Sequence, residues 1–93
     1  MPLGGIAFDA ALTRDQAQRL ATLMVEARPT RPEGVLSASL EYHDGHARLV
    51  AIWRDERALS DYLAQGAVPR GTELMRAVGA EPAVGRFEVL ELG

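Results

Sequence analysis

Two segments of alternating apolar and polar residues stand on either side of Asp44-Gly45. This dipeptide favours a two-residue type I′ turn, because both central positions of that turn need positive φ angles. With His43 and His46 flanking the turn, the alternation resolves into two faces, which a shift of one residue would scramble. The apolar face is predicted to hold Leu36, Ala38, Leu40 and Tyr42 opposite Trp53, Ala51, Leu49 and Ala47. The other face is predicted to hold Val35, Ser37, Ser39, Glu41 and His43 opposite Arg54, Ile52, Val50, Arg48 and His46.

A strand and a helix are predicted before this hairpin. Residues 5–11 place apolar side chains on one face of a strand. Thr13, followed three residues later by Gln16, forms a capping box, and apolar residues recur at helical spacing from there on. Pro29 is expected to end the helix, since the residue before a proline is driven away from helical angles.

Two helical segments and a last strand are predicted after the hairpin. Asp55 caps a second helix, which Gly66 interrupts. Pro69 suits the first turn of a further helix, and Gly79 is placed to end it. Residues 84–92 predict a final strand. The resulting order, βαββαβ, is that of ferredoxin-like folds, in which four strands form an antiparallel sheet with the helices on one face.

Length and composition favour a single small domain over residues 1–93, and the order of its elements makes it an α+β domain. Of the 93 residues, 47% are hydrophobic and 25% are charged, as in an ordinary globular protein. A domain this short buries only about two-thirds of the surface that its unfolded chain exposes, so a partner surface would add stability. The second hairpin face has a charge-poor centre, which predicts a two-fold homodimer through Ser37, Ser39, Val50 and Ile52.

Charge and missing residue types argue against several classes of function. A net charge of −3 and a pI of about 5.3 predict no nucleic-acid partner. The chain has no Cys, which excludes a disulfide, a thiolate nucleophile and a thiolate metal site. His43 and His46 are expected to be solvated turn residues rather than metal ligands. No apolar run approaches the roughly 18 residues of a membrane span, and the start MPLGGIAFDA lacks the pattern of a signal peptide, so a cytoplasmic protein is expected.

Trp53, the only tryptophan, is predicted at the end of the third strand on its apolar face. One interpretation makes it a core anchor for the second helix, and the other makes it a stacking wall for a planar substrate. Ala38 and Ala51 face each other across the hairpin and leave the middle of that face shallow. Tyr62, on the next helix, should lie over the same region. A cavity there is a hypothesis, because either aromatic side chain could fill the space.

The segment LVAIWRDERALSDYLA, residues 49–64, resembles the signature of the antibiotic biosynthesis monooxygenase-like superfamily of dimeric α/β barrels. That signature is a strand ending in an aromatic residue, commonly Trp, then a short acidic turn and a helix of the form Ala-Leu-x-x-His-Leu. The matching residues are Trp53, Asp55, Ala58, Leu59 and Leu63. The order of elements also matches over nearly the whole chain, whereas the common His of the helix is replaced by Tyr62.

The resemblance implies a dimeric barrel and a cofactor-independent monooxygenase-like enzyme, without metal or flavin, for a small aromatic or quinonoid metabolite of the polyketide type. Trp53 and Tyr62 are then the expected catalytic residues. The expected substrate-binding residues are Ala38, Leu40, Tyr42, Ala51, Leu59, Met75 and Arg86. Anthrone-oxidising members use Asn, Trp, Tyr and Arg, and the haem-degrading branch uses Asn, Trp and His, but this chain has no Asn. Two alternatives therefore stay open: a non-catalytic dimeric module for ligand binding or assembly, and a barrel-type cyclase or isomerase.

Overall fold

The structure is a computed structural model that describes residues 2–92. Its elements, in chain order, are β1 (Leu3–Ala11), α1 (Arg14–Ala27), β2 (Val35–His43), β3 (His46–Trp53), α2 (Glu56–Leu63), α3 (Arg70–Ala77) and β4 (Ala83–Val89). A short 3-10 turn, Arg28–Thr30, follows α1 directly. The predicted α+β class and the ferredoxin-like order of elements are confirmed.

The four strands form one sheet in the order β2-β3-β1-β4, and each neighbouring pair is antiparallel. On the side that faces the helices, Ile6 and Phe8 of the central strand β1 are both 3% exposed. Each helix adds one fully buried side chain to this core, namely Leu20 from α1, Leu59 from α2 and Met75 from α3. We call the opposite surface of the sheet the open face. Its centre carries Gly5, Ala7, Ser37, Ser39, Val50, Ile52, Gly85 and Phe87.

The predicted hairpin register is confirmed over most of its length. Asp44 and Gly45 form the turn with φ angles of 50° and 82°, both in the region that a type I′ turn requires. Leu40 pairs with Leu49. Ala38 pairs with Ala51, two residues further from the turn and on the same face of the sheet.

The prediction is wrong at the start of β2. A β-bulge between Val35 and Ser37 makes Val35, instead of Leu36, the partner of Trp53. The extra residue of a bulge changes the face on which its neighbours lie. Val35 consequently packs against the core, Leu36 is 54% exposed, and the expected pair of Val35 with Arg54 does not form.

The last strand is shorter than the predicted residues 84–92. β4 stops at Val89, which pairs with Leu3, the first residue of β1. Because β1 begins at Leu3, β4 has no partner residue beyond Val89. Leu90 therefore lies beyond the sheet and is 82% exposed.

Local signals set the ends of the helices. Thr13 Oγ1 accepts a hydrogen bond from the Gln16 N–H at 3.1 Å, and Gln16 Oε1 accepts one from the Thr13 N–H at 2.8 Å, so the predicted capping box begins α1. Gly79, with a φ of 87°, follows the end of α3. Pro69 is the N-cap of α3 and so stands just before its first turn, contrary to the prediction. Within residues 2–92 no helix has both the length and the apolar character needed to cross a membrane.

A group of charged side chains lies on the open face toward the hairpin turn. Asp9 of β1 stands opposite Arg48 of β3. Its Oδ1 accepts a hydrogen bond from Arg48 Nε at 2.8 Å and lies 3.0 Å from His46 Nε2, which donates to it when that nitrogen is protonated. The hydrogen bond from Arg48, followed by that from His46, lowers the pKa of the Asp9 carboxyl below its ordinary value of 3.8. The folded state thus favours the ionised carboxylate.

Stability should depend on the ionisation of Asp9 in acid. Because the pKa is lower in the folded state, the stabilisation is complete above the ordinary value of 3.8 and is lost as the pH falls through the folded pKa. Asp9→Asn lacks this contribution at every pH. Urea denaturation should therefore find Asp9→Asn less stable than the parent at about pH 6, with the gap narrowing toward about pH 3. A gap that stays constant over that range would contradict the assignment.

Candidate active site

A cavity of about 350 Å³ lies between the sheet and the helices, on the side where α1 ends and α3 begins. Its floor is the helix-facing surface of the sheet, with Ile6, Phe8, Val35, Ala38, Leu40, Leu49 and Ala51. The helices contribute Ala21, Met24, Val25 and Ala27 from α1 and Gly71 and Leu74 from α3. Trp53 and Tyr62 form one wall, and Arg28, Arg31 and Arg70 are the charged residues of the lining. The lining is thus apolar except for two aromatic residues with polar atoms, a serine and three arginines.

Small side chains in the floor leave this space open. Ala38 and Ala51 are direct partners across β2 and β3, so the middle of the floor receives only two methyl groups. The next pair on the same face, Leu40 with Leu49, fills more of the volume above the sheet. Because protein cores are otherwise closely packed, the cavity lies where the sequence puts alanine on both strands.

The wall of the cavity is a pair of aromatic rings tilted toward each other. β3 ends at Trp53, and Asp55 Oδ1 accepts a hydrogen bond from the Ala58 N–H at 2.7 Å, so α2 begins almost immediately after the indole. Tyr62 lies nearly two turns along α2 and returns over the indole. The ring centroids are 4.8 Å apart at an interplanar angle of 37°, a favourable distance for an aromatic pair.

The indole of Trp53 has an unused hydrogen-bond donor. The residue is only 3% exposed, and its Nε1–H is buried without an acceptor anywhere in residues 2–92. Buried polar groups nearly always have partners, and an unpaired one costs about 1–3 kcal/mol. A bound molecule with an oxygen atom near the indole would supply the missing acceptor.

The hydroxyl of Tyr62 is held by the start of α3. Its oxygen accepts a hydrogen bond from the backbone N–H of Arg70 at 2.8 Å. Within the described part of the chain this hydroxyl donates to no acceptor, so its proton stays available for a ligand in the cavity. Tyr62 therefore combines a fixed position with a free donor.

Gly34 permits the close approach of the connection between α1 and β2 to the indole. Its φ of 100° is in the region that favours glycine. A Cβ atom at this position would lie 3.1 Å from Cε3 of Trp53, which is tighter than ordinary packing. The connection that carries two of the cavity arginines thus rests directly on the aromatic wall.

Five of the predicted site residues line the cavity together. These are the two expected catalytic residues, Trp53 and Tyr62, and three expected substrate-binding residues, Ala38, Leu40 and Ala51. The aromatic pair stands beside a floor of small and aliphatic side chains.

The structure places the other four predicted substrate-binding residues outside the cavity. Tyr42 donates a hydrogen bond from its hydroxyl to the Leu12 carbonyl at 3.1 Å. Leu59 and Met75 are fully buried in the core. Arg86 lies on β4, at the far edge of the sheet, where it is tied to α2 by a hydrogen bond and ion pair of 3.0 Å from Nη2 to Glu56 Oε2 and a bond of 2.9 Å to Ser60 Oγ.

The sequence patterns missed the three arginines of the lining. Arg28 and Arg31 belong to the irregular connection after α1, and Arg70 opens α3. Nη1 of Arg70 donates to the Ala27 carbonyl at 3.1 Å and to Thr30 Oγ1 at 2.9 Å, which joins the two segments. Periodicity gives no signal for residues in loops or helix starts. Their convergence becomes visible only when α1 and α3 are packed side by side.

Residues 2–92 contain no group of three or more His, Cys, Asp and Glu side chains arranged to hold a metal ion. The ring of His46 contacts the carboxylate of Asp9. His43 is the strand partner of His46 at the exposed end of the hairpin.

Solved structures resemble the chain over nearly its whole length, although no protein-family model and no curated protein matches it. A candidate antibiotic biosynthesis monooxygenase from Bordetella bronchiseptica superimposes with a TM-score of 0.68 at 15% identity, covering 98% of this chain and 100% of that one. A mutant form of SnoaB, a cofactor-independent oxygenase from Streptomyces nogalater, superimposes with a TM-score of 0.66 at 20% identity. The match covers 97% of this chain and 95% of that one. The chain has the fold of the antibiotic biosynthesis monooxygenases. A protein of unknown function from Nitrosomonas europaea shares this fold, with a TM-score of 0.66 at 16% identity and coverage of 100% and 94%, so the fold by itself does not define an activity.

Removing each member of the aromatic wall should affect stability differently. Trp53→Ala should lower the free energy of unfolding by about 3–5 kcal/mol, because it removes a buried ring from its contacts. Tyr62→Phe should cost about 1 kcal/mol, the net value of one hydrogen bond. Tyr42→Phe is the matched control, since it removes one hydroxyl hydrogen bond outside the cavity and should cost a similar amount. Urea denaturation followed by circular dichroism measures all three, and an unchanged Trp53→Ala protein would contradict the packing of the indole.

Proposed function

We propose that the chain is a cofactor-independent oxygenase that acts on a small aromatic or quinonoid metabolite of the polyketide type. The observation that carries the proposal is the wall of Trp53 and Tyr62 on a largely apolar cavity of about 350 Å³. Cavities of this size, with a few placed polar groups, suit small planar molecules. The shared fold with SnoaB, a cofactor-independent oxygenase, supports the same class of reaction.

In the proposed reaction an anthrone-like substrate reduces molecular oxygen directly. The CH₂ group between its rings loses a proton, and the resulting enolate transfers its electrons to O₂. One oxygen atom becomes the new C=O of the quinone. The other leaves as water with the two hydrogens of the CH₂ group, so the reaction needs no external reductant. The protein's task is to orient the substrate and keep bulk water from the reacting carbon.

The two wall residues have distinct roles in this proposal. Trp53 packs against Tyr62, and its unpaired Nε1–H donates to a substrate oxygen at the edge of the indole. Tyr62, held by the Arg70 N–H, donates its hydroxyl proton to the oxygen that gains negative charge as the reaction proceeds. The floor around Ala38 and Ala51 accommodates the planar rings.

Oxygen consumption with anthrone as the probe tests the activity. The parent protein should consume oxygen and release anthraquinone above the uncatalysed rate. Tyr62→Phe should lower turnover roughly 100-fold, the scale of a lost proton donor. Tyr42→Phe, which removes a hydroxyl outside the cavity, should keep the parent rate.

Other outcomes of that experiment separate the alternatives. Product formation without oxygen consumption would replace the oxygenase with a cyclase or isomerase. Binding of anthrone without any turnover would indicate a ligand-binding module. Equal loss of rate in Tyr62→Phe and Tyr42→Phe would remove the assigned role of the Tyr62 hydroxyl.

We also propose that the open face joins two copies of the chain into a homodimer, which would close the two sheets into an α/β barrel. Val50 and Ile52 on this face are half-buried, and the ring of Phe87 lies across Gly5, where a side chain would collide with it. The centre of the face carries no charged side chain. A sheet with apolar residues on both faces is normally covered on both, and a second open face matches the first in shape and polarity.

A charge in the centre of the open face should separate the dimer. Ile52→Glu would bury an unpaired carboxylate in the proposed interface, which is strongly unfavourable. Light scattering at micromolar concentration should give the mass of two subunits for the parent and one for Ile52→Glu. Val68→Glu, an apolar-to-acid change at a 43% exposed position between α2 and α3, is the control and should remain dimeric. A parent protein with the mass of one subunit would overturn the proposal.

A further inference from the structure

The charge of the cavity indicates which aromatic molecules it takes. We infer that its ligand is an anion, namely a planar aromatic body that carries a carboxylate held by Arg28, Arg31 and Arg70. The anion would bind in the cavity described above, and its role as a substrate rests on the proposed function. The charge preference itself can be measured without turnover.

The lining of the cavity has charge of one sign only. It contains three arginines and no aspartate or glutamate. In the whole chain, acidic residues outnumber basic ones by 13 to 10. A lining drawn at random from these charged residues would contain acidic as well as basic side chains. The positive charge is therefore concentrated at this cavity against the overall balance of the protein.

These arginines are also free of the ion pairs that occupy others. Four arginines elsewhere in the described chain pair with carboxylates, namely Arg48, Arg54, Arg76 and Arg86. None of the three cavity arginines is within ion-pair distance of a carboxylate in residues 2–92. Arg31 and Arg70 are partly buried, where a positive charge without a counter-charge is costly. A bound anion would provide that counter-charge.

Arg70 is already held in place for such a contact. Nη1 donates to the Ala27 carbonyl and to Thr30 Oγ1, which fixes the guanidinium between α1 and α3. Its Nε and Nη2 groups make no hydrogen bond within residues 2–92. A guanidinium restrained on one side and free on the other is suited to a carboxylate, because its remaining N–H groups match two carboxylate oxygens.

The apolar floor decides between an aromatic carboxylate and a bare inorganic anion. Phosphate or sulfate would satisfy the arginines but would leave the floor around Phe8, Leu40 and Leu49 in contact with water or empty space. An aromatic carboxylate uses both parts, since its rings cover the floor and the Trp53 wall while its charge lies among the arginines. The cavity thus matches an amphipathic anion.

The test compares 2-naphthoate with its methyl ester, which has the same rings and no charge. Trp53 is the only tryptophan and lines the cavity, so quenching of intrinsic fluorescence reports binding. The parent should bind the naphthoate at least about tenfold more tightly than the ester, the effect of one charge-assisted contact. Arg31→Gln should weaken naphthoate binding roughly tenfold and leave ester binding unchanged.

Two further variants control for loss of charge and loss of structure. Arg57→Gln removes an exposed arginine of α2 outside the lining and should bind both ligands as the parent does. Arg70→Gln loses the links to Ala27 and Thr30 as well as the charge, so its melting temperature is measured beside its affinity. A fall in naphthoate affinity without a fall in ester affinity supports the anion site, whereas parallel losses for both ligands count against it.

The results for anion binding and for oxygenase activity are separable. Equal affinity for naphthoate and ester, or an equal loss in Arg57→Gln and Arg31→Gln, would overturn the anion site even if anthrone were oxidised. A clear preference for naphthoate that depends on Arg31 would support the anion site even if no oxygen were consumed, and in that case the oxygenase proposal alone would fail.

Discussion

The two-residue turn at Asp44 and Gly45 is the constraint on which the rest of the molecule depends. Both residues adopt positive φ angles, and this geometry fixes which residues of β2 and β3 face each other. Ala38 and Ala51 consequently meet on the helix side of the sheet, which opens the floor of the cavity. A shift of one residue would put the two alanines on opposite faces of the sheet and mix apolar with polar side chains on each face. The position of the cavity is therefore determined by the hairpin.

Local signals explain why most of the fold could be predicted. The capping box of Thr13 and Gln16, the turn dipeptide and the glycine after α3 each act over a few residues, and the structure contains all of them. The bulge after Val35 could not be predicted, because the alternating pattern of β2 continues through it. The early end of β4 was also missed, since it depends on where β1 begins, at Leu3, which is far away in sequence but pairs with Val89 at the end of the ladder.

The candidate site could be predicted only where it is built from the hairpin and the helix that follows. Trp53 and Tyr62 are close in sequence, and helical spacing is enough to bring one over the other. The prediction that Arg86 lies near them is wrong, because β4 pairs with β1 at the opposite edge of the sheet from β2. The Arg86 guanidinium forms an ion pair with Glu56 instead. The arginines that do reach the cavity come from segments joined by the packing of α1 against α3. No pattern in either segment alone indicates that contact.

The floor and the rim of the cavity are made from different kinds of structure. The floor belongs to a hydrogen-bonded ladder in which each substitution is felt by neighbouring strands, whereas the rim comes from the connection after α1 and the first residue of α3. Insertions and exchanges are better tolerated in such connections than in a ladder. Gly34 is the exception, because it touches the indole. Over evolutionary time, the choice of ligand can therefore diverge through the rim while the floor, the aromatic wall and the fold are inherited unchanged.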